Sequence, residues 1–215
     1  GEVSQIIHLP ALRELPELFA VTALCDVSPT VLAAVGADFP GAGRFATAEA
    51  LIAEGDIDIV LIANPHVYHA DTALAAMAAG KHVLIEKPMC VTLAEADALL
   101  AAEERSGVTV QVGFMRRYAP AFVEAVGLVA AVRDNVILAR VHDVIGANAT
   151  IINSTSLVHR GNDVPETLVA EAGARFASKV KEAIGVEANP LVTAYGLLLG
   201  LGSHDTSAMR ELIGM

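Results

Sequence analysis

The sequence predicts an α/β fold, a doubly wound parallel sheet of the Rossmann kind followed by part of a second, α+β domain. Three observations carry this prediction: short strands that are apolar along their whole length, helical stretches between them, and helix caps at the junctions. A strand buried on both faces shows no polar alternation, and parallel strands need a crossover between them. The pattern therefore implies a parallel sheet with helices on both faces.

The elements follow in order. Phe19 to Leu24 is an apolar, strand-forming run that stops at Asp26, and Ser28-Pro29 then supplies an N-cap and a proline at the first helical position. Ile57 to Ala63 is a continuous apolar strand, Val67 to Ala79 a helix, and Gly80 its left-handed C-terminal cap. His82 to Ile85 is the next strand. Thr92 and Glu95 form a capping box, opening a helix with Leu93, Ala96, Leu99 and Leu100 on one face; Gly107 ends it, and Val108 to Val112 is strand again. Past Tyr118 the rhythm changes. Val136 to Ile145 has the character of a strand, a stretch rich in Asn, Ser and Thr follows, and a long helix is expected from Pro165, capped by Asp163. Leu168, Ala172, Phe176, Val180 and Ile184 form one row on that helix, and Asn189-Pro190 and Ser203 mark two further helix starts. The boundary falls at residues 115 to 120, giving a dinucleotide-binding domain over 1–118 and a partial substrate and oligomerisation domain over 119–215.

Composition narrows the function classes. A net charge of −11 repels phosphate backbones and anionic lipid, so neither nucleic acid nor a membrane surface is an expected partner. No charge-free apolar run reaches the roughly 20 residues of a spanning helix. Cys25 and Cys90 are not paired in a C-x-x-C motif and read as reduced thiols of a cytoplasmic protein.

In an open parallel sheet, ligands bind beyond the carboxyl ends of the strands. Asp26 ends the first of these strands, and a carboxylate about 20 residues after a glycine-bearing turn can accept both ribose hydroxyls of an NAD adenosine while repelling the extra phosphate of NADP. Gly1 represents that turn, and Ser4 stands at the third glycine's place, 22 residues before Asp26. The competing reading is that Gly1 is an ordinary glycine and Asp26 caps a turn.

Ala63-Asn64-Pro65, His69, Ala79-Gly80-Lys81-His82-Val83, Glu86-Lys87-Pro88, Thr92 and Glu95-Ala96, taken together, resemble the glucose-fructose oxidoreductase, inositol dehydrogenase and rhizopine-catabolism (Gfo/Idh/MocA) family across about residues 1–120. The resemblance implies a nicotinamide cofactor, NAD in preference to NADP, contacted by Gly1, Ser4, Asp26, Asn64, Pro65, His69, Glu86 and Lys87. It also implies that the lysine of the E-K-P element, Lys87, reaches both the nicotinamide ribose and the substrate hydroxyl. Independently of family, a cation beside a reacting carbinol stabilises the alkoxide that develops as hydride leaves. A strand-end lysine in solvent is the competing reading.

The family's substrate-side motif reads D-x-G-x-H. Gly202-Ser203-His204 fits its later part, but Gly200 stands where the aspartate belongs, with Asp205 as a nearby carboxylate. His204 is the expected base: with Ser203 capping a helix start, the positive helix end would keep the ring neutral. Arg116, Arg117 and Tyr118 follow the last strand of the first domain, and Arg117, Tyr118 and Asp205 are the expected substrate contacts. His8 is expected to pack near the cofactor turn. His66 and His69 lie three apart without a third ligand at sensible spacing, so no metal is expected.

The activity implied is hydride transfer between nicotinamide and a secondary alcohol of a sugar, cyclitol or related polyol. A non-catalytic dinucleotide sensor and an NAD-dependent glycoside hydrolase are the alternatives. The first strand of a nucleotide fold would precede Gly1 and the second domain would run past Met215, so the chain is expected to be a portion of a longer protein, one that forms a homo-oligomer.

Overall fold

The computed structural model describes residues 1–54, 56–142, 144, 146 and 148–214. Residues 2–13 form one helical stretch that includes a π-helical turn at Ser4–His8 and the α-helix α1 (Leu9–Arg13). Five strands follow: β1 (Ala23–Cys25), β2 (Gly43–Phe45), β3 (Ile59–Ile62), β4 (His82–Ile85) and β5 (Val110–Val112). Helices α2 (Pro29–Ala37), α3 (Ala48–Glu54), α4 (His69–Ala78) and α5 (Leu93–Ser106) connect them. All pairings are parallel, in a two-stranded ladder β1-β2 and a three-stranded ladder β3-β4-β5. This is the α/β alternation that the apolar strands predict.

The core lies between β3-β4 and α4. Ile62 and Ile85 face it from the strands, and Ala70, Ala73 and Ala76 form a small-residue face that brings α4 close, with Met77 filling the space beside them. Helix ends are where the local chemistry places them. Ser28 Oγ accepts from the Val31 N–H at 3.1 Å, Thr92 and Glu95 form the reciprocal capping box, and Gly80 and Gly107 take φ of +72° and +68°.

Several expectations are corrected. The first strand begins at Ala23, because Phe19 instead closes a helical turn, its N–H donating to Leu15 O at 3.0 Å. On α5 only Leu99 is buried; at about 100° per residue, Leu93 and Leu100 sit on the flank of its inward face and are 84% and 56% exposed. Residues 136–142 form no strand. Beyond Val112 the described residues contain no strand whose edge they could pair with, and Ile145 lies outside the described residues.

Instead, residues 119–214 supply helices: α6 (Pro120–Ala130), α7 (Asn148–Thr155), α8 (Glu166–Ile184), α9 (Asn189–Leu197) and α10 (Ser203–Ile213). Helix α8 starts after Pro165 with no side-chain cap, and Asp163 reaches across the fold to cap α2. Ser203 is not an N-cap either: a π-helical turn, Leu198–Gly202, carries α9 into α10, and Ser203 itself has helical dihedrals. Helix α8 meets the stretch Asn189–Ile213 at 88°, and no single helix among the described residues is long and apolar enough to cross a membrane.

Helix α8 docks through Val180, which is fully buried, and through Lys179, whose Nζ donates to Val67 O at 3.0 Å and pairs with Glu95. Tyr195 on α9 donates to Val91 O at 2.7 Å. The C-terminal helices are thereby fastened beside the carboxyl end of β4.

Candidate active site

In parallel strands the carboxyl ends gather on one edge, and Asp26, Asn64, Glu86 and Lys87 follow the ends of β1, β3 and β4. The Gly1 nitrogen donates to Asp26 Oδ2 at 3.2 Å, just past β1, and a Cβ added to Gly1 would lie 3.2 Å from Ala63 O, just past β3. Gly1 therefore sits between two strand tips where a larger residue would crowd the backbone. The helical stretch it opens points its first turn at the same place, the arrangement that receives a pyrophosphate. Ser4 lies within that stretch. Asp26 is held by the Ser28 N–H, which donates to Oδ1 at 2.9 Å. A glycine cradle, a fixed carboxylate and a helix start fit the adenosine and pyrophosphate half of a nicotinamide dinucleotide.

The same helical stretch reaches β4. His8 Nε2 donates to Glu86 Oε1 at 2.7 Å. Burial pushes the Glu86 carboxyl upward, but the His8 hydrogen bond and charge, the Lys87 N–H and the Lys87 charge together hold it below its ordinary value. Gly113, beyond β5, gives Glu86 room: a Cβ there would lie 3.1 Å from Oε1. The helical stretch that Gly1 opens thus touches Asp26 and Ala63 at one end and Glu86 further along.

Lys87 begins the loop after β4, and the Lys87-Pro88 peptide is cis. Its Nζ donates to Gly200 O at 2.8 Å. Gly200 lies one helical turn before His204, so this hydrogen bond ties the loop that carries Lys87 to the helical stretch that carries His204. His204 is buried at 5% exposure and packs edge-to-face on Phe114, ring centroids 5.9 Å apart, just beyond β5. Because the helix runs unbroken into α10, the helix-end argument for a neutral ring does not hold; burial against Phe114 is what surrounds it.

His69 is positioned by backbone. Its Nδ1 lies 2.7 Å from Pro88 O and its Nε2 2.8 Å from Asn64 O, so the buried ring ties the loop after β3 to the cis-proline loop. Asn64 Nδ2 donates to Thr72 Oγ1 at 3.0 Å, while Asn64 Oδ1 is buried with no hydrogen-bond partner among the described residues. Pro65 lines an apolar cleft of about 410 Å³ with His66, Phe176 and Leu197. Burial, His69 and Lys87 together lower the His66 pKa.

The expected substrate contacts divide. Arg117 pairs with Glu211 and lines a cleft of about 460 Å³ with Phe114, Ser203 and Arg210. Asp205, half-buried, is on the same helix as His204. Tyr118 is 67% exposed, and its hydroxyl accepts from Gln111 Nε2 at 3.0 Å. Among the described residues no three His, Cys, Asp or Glu side chains gather as a metal site.

Two contacts escape a reading of the sequence, His8 with Glu86 and Asp163 with the start of α2. Glu86 depends on His8, for which the only signal is the histidine ahead of Leu9-Pro10. Asp163 looks like the cap of the helix that follows it, and nothing local says that it belongs to α2.

Residues 4–114 match the Gfo/Idh/MocA oxidoreductase family, described as having an NAD-binding Rossmann fold. Inositol 2-dehydrogenase of Agrobacterium fabrum is 43% identical over 105 residues, covering 48% of this chain and 31% of that protein. Inositol 2-dehydrogenase of Acidothermus cellulolyticus is 35% identical over 149 residues, covering 69% of this chain and 39% of that protein. The WlbA dehydrogenase from Bordetella pertussis, solved in complex with NADH and UDP-GlcNAcA, superposes with a TM-score of 0.58 at 26% identity, covering 62% of this chain and 40% of that one. The chain spans about a third of the length of the curated relatives it matches.

Proposed function

Because the chain belongs to the Gfo/Idh/MocA oxidoreductase family, whose NAD-binding Rossmann part it matches over residues 4–114, we propose that it serves an NAD-linked dehydrogenase acting on a secondary alcohol of a cyclitol, sugar or related polyol. The single observation that carries this reading is the hydrogen bond from Lys87 Nζ to Gly200 O, which ties the loop after β4 to the helical turn that precedes His204. A bound nicotinamide would supply the hydride acceptor. Lys87 would hold the substrate hydroxyl and stabilise negative charge on its oxygen, and a ring nitrogen of His204 would take the hydroxyl proton. Asp26 supports NAD over NADP, since a carboxylate accepts from a free 2′-hydroxyl and repels a 2′-phosphate. The substrate class is carried over from the inositol 2-dehydrogenases among its relatives.

The test is cofactor reduction at 340 nm against a panel of cyclitols and polyols, for the parent chain and Lys87→Ala. Turnover with NAD is expected, lowered at least ~100-fold in the variant, as for loss of one stabilising donor at a developing oxyanion, with the melting temperature kept. Equal turnover removes Lys87 from the chemistry. One observation favours a non-catalytic sensor: Gly200 stands in place of the motif's aspartate, and its carbonyl engages the lysine. Tight NAD binding with no reduction across the panel supports that reading instead.

A further inference from the structure

We propose that Asp163, carried on the segment His159–Asp163, is a specificity-determining residue that excludes 2′-phosphorylated dinucleotides from the adenosine end of the crevice. The inference rests on the dinucleotide-binding reading above and adds to it a residue from the far half of the chain.

The segment straps the two helix starts that flank Asp26. Gln5 grips it by the backbone: Nε2 donates to His159 O at 3.0 Å, and the His159 N–H donates to Gln5 Oε1 at 2.8 Å. Arg160 pairs with Glu2 at 2.7 Å. Asp163 accepts from Ser28 Oγ and, through Oδ2, from the Thr30 N–H at 2.8 Å. Close approach is built in, since a Cβ on Gly161 would collide with the Ser28 side chain.

These contacts decide what the ribose pocket can accept. Asp26 presents a carboxylate to a ribose, and a phosphate on the 2′-oxygen would need nearby donors. Beyond the Gly1 nitrogen and the Ser28 N–H, which already serve Asp26, the α2 first turn offers the Ser28 hydroxyl and the Thr30 N–H, at an anion-favouring helix start. Asp163 already occupies both. It also sets a second carboxylate two residues along the chain from the Ser28 N–H that holds Asp26. The hydrogen bonds from Ser28 and Thr30 hold the Asp163 carboxyl down at about 2, so it is ionised at neutral pH. The strap's guanidinium offers no compensation, because Arg160 is turned to Glu2 and Asn153. A free 2′-hydroxyl needs only the acceptor that Asp26 provides, whereas a 2′-phosphate meets two negative charges and donors already engaged.

The test reads dissociation constants for NADH and NADPH from nicotinamide emission, which no tryptophan in this chain overlaps. The parent chain is compared with Asp163→Asn, which removes the charge and keeps the shape, and with Gly161→Ala, which forces the strap away from Ser28. NADPH is expected to tighten about tenfold in both variants, with NADH changed less than about twofold, the scale of one partly screened charge. If Asp163→Asn fails to fold, the Gly161→Ala ratio decides alone. An unchanged ratio of the two constants, or equal weakening of both, overturns the proposal and leaves Asp163 a cap of α2. A parent chain that binds neither dinucleotide removes the dinucleotide reading itself, and this inference with it.

Discussion

Gly200 is the position where one residue most alters the site. A side chain added there meets nothing within 4 Å, and its carbonyl already holds Lys87 Nζ at 2.8 Å. An aspartate would restore the motif's carboxylate one turn before His204, and its Cβ would meet no steric obstacle. Gly200→Asp should therefore keep the fold and raise turnover in the 340 nm assay by about tenfold or more, the gain expected from fixing one group in its reactive geometry. Unchanged or lower turnover would show that the glycine does not limit the site. Glu86 makes a prediction about pH. Its pKa is depressed below the ordinary 4.5, so its stabilising contribution is complete above that value and is lost as pH falls through the lower folded value. In His8→Ala the burial effect, which raises the pKa, is left with weaker opposition, so the same carboxylate becomes a liability near neutrality. Melting temperatures from pH 7 down to about 3 should fall more steeply in the parent than in His8→Ala. Parallel curves would remove the His8–Glu86 pair from the account.

At the scale of elements, the capping box that opens α5 is both legible and consequential. Thr92 is 5% exposed and accepts from the Glu95 N–H at 3.2 Å, while Glu95 Oε2 accepts from Val91 and Thr92 and its other oxygen meets Lys179. Thr92→Ala should cost about 1 kcal/mol, at the centre of the range for lost N-caps, read from urea unfolding; no shift in midpoint would mean that Lys179 alone orders the helix start. The Thr-x-x-Glu spacing announces this helix, and Gly80 and Gly107 announce the ends of their helices, because these signals are local. Helix α3 has one too, in Thr47, whose Oγ1 accepts from the Ala50 N–H at 3.2 Å, but strand β2 has none: Gly43–Phe45 is three residues long with Arg44 at its centre, and becomes a strand only because β1 offers it an edge. The Asp163 and Ser203 caps fail for the converse reason. Each residue has the chemistry of a cap, but tertiary contact takes Asp163 to α2, and a continuous π-helical turn absorbs Ser203.

Across the whole molecule, what the sequence leaves invisible is contact between distant residues. Lys87 with Gly200, Lys179 with Glu95, Tyr195 with Val91 and Asp163 with Thr30 each join positions at least 84 apart, and no periodicity records them. These contacts fasten a set of helices to the α/β layer. They are unevenly distributed, which predicts an uneven stability. Strand β4 is paired on both sides, Val83 and Ile85 are at most 2% exposed, and α4 covers them. Residues 136–142 have no strand partner among the described residues, and Ile137 and Leu138 are 100% and 77% exposed. Amides of β4 and α4 should therefore exchange with solvent only on global opening, and those of residues 137–142 at close to the unprotected rate, since protection follows burial and hydrogen bonding. Hydrogen exchange followed by mass spectrometry distinguishes the cases. Protection of residues 137–142 comparable to β5 would mean that this β-prone segment finds a sheet edge in solution, restoring the strand that its sequence predicts and giving its exposed apolar side chains a face to cover.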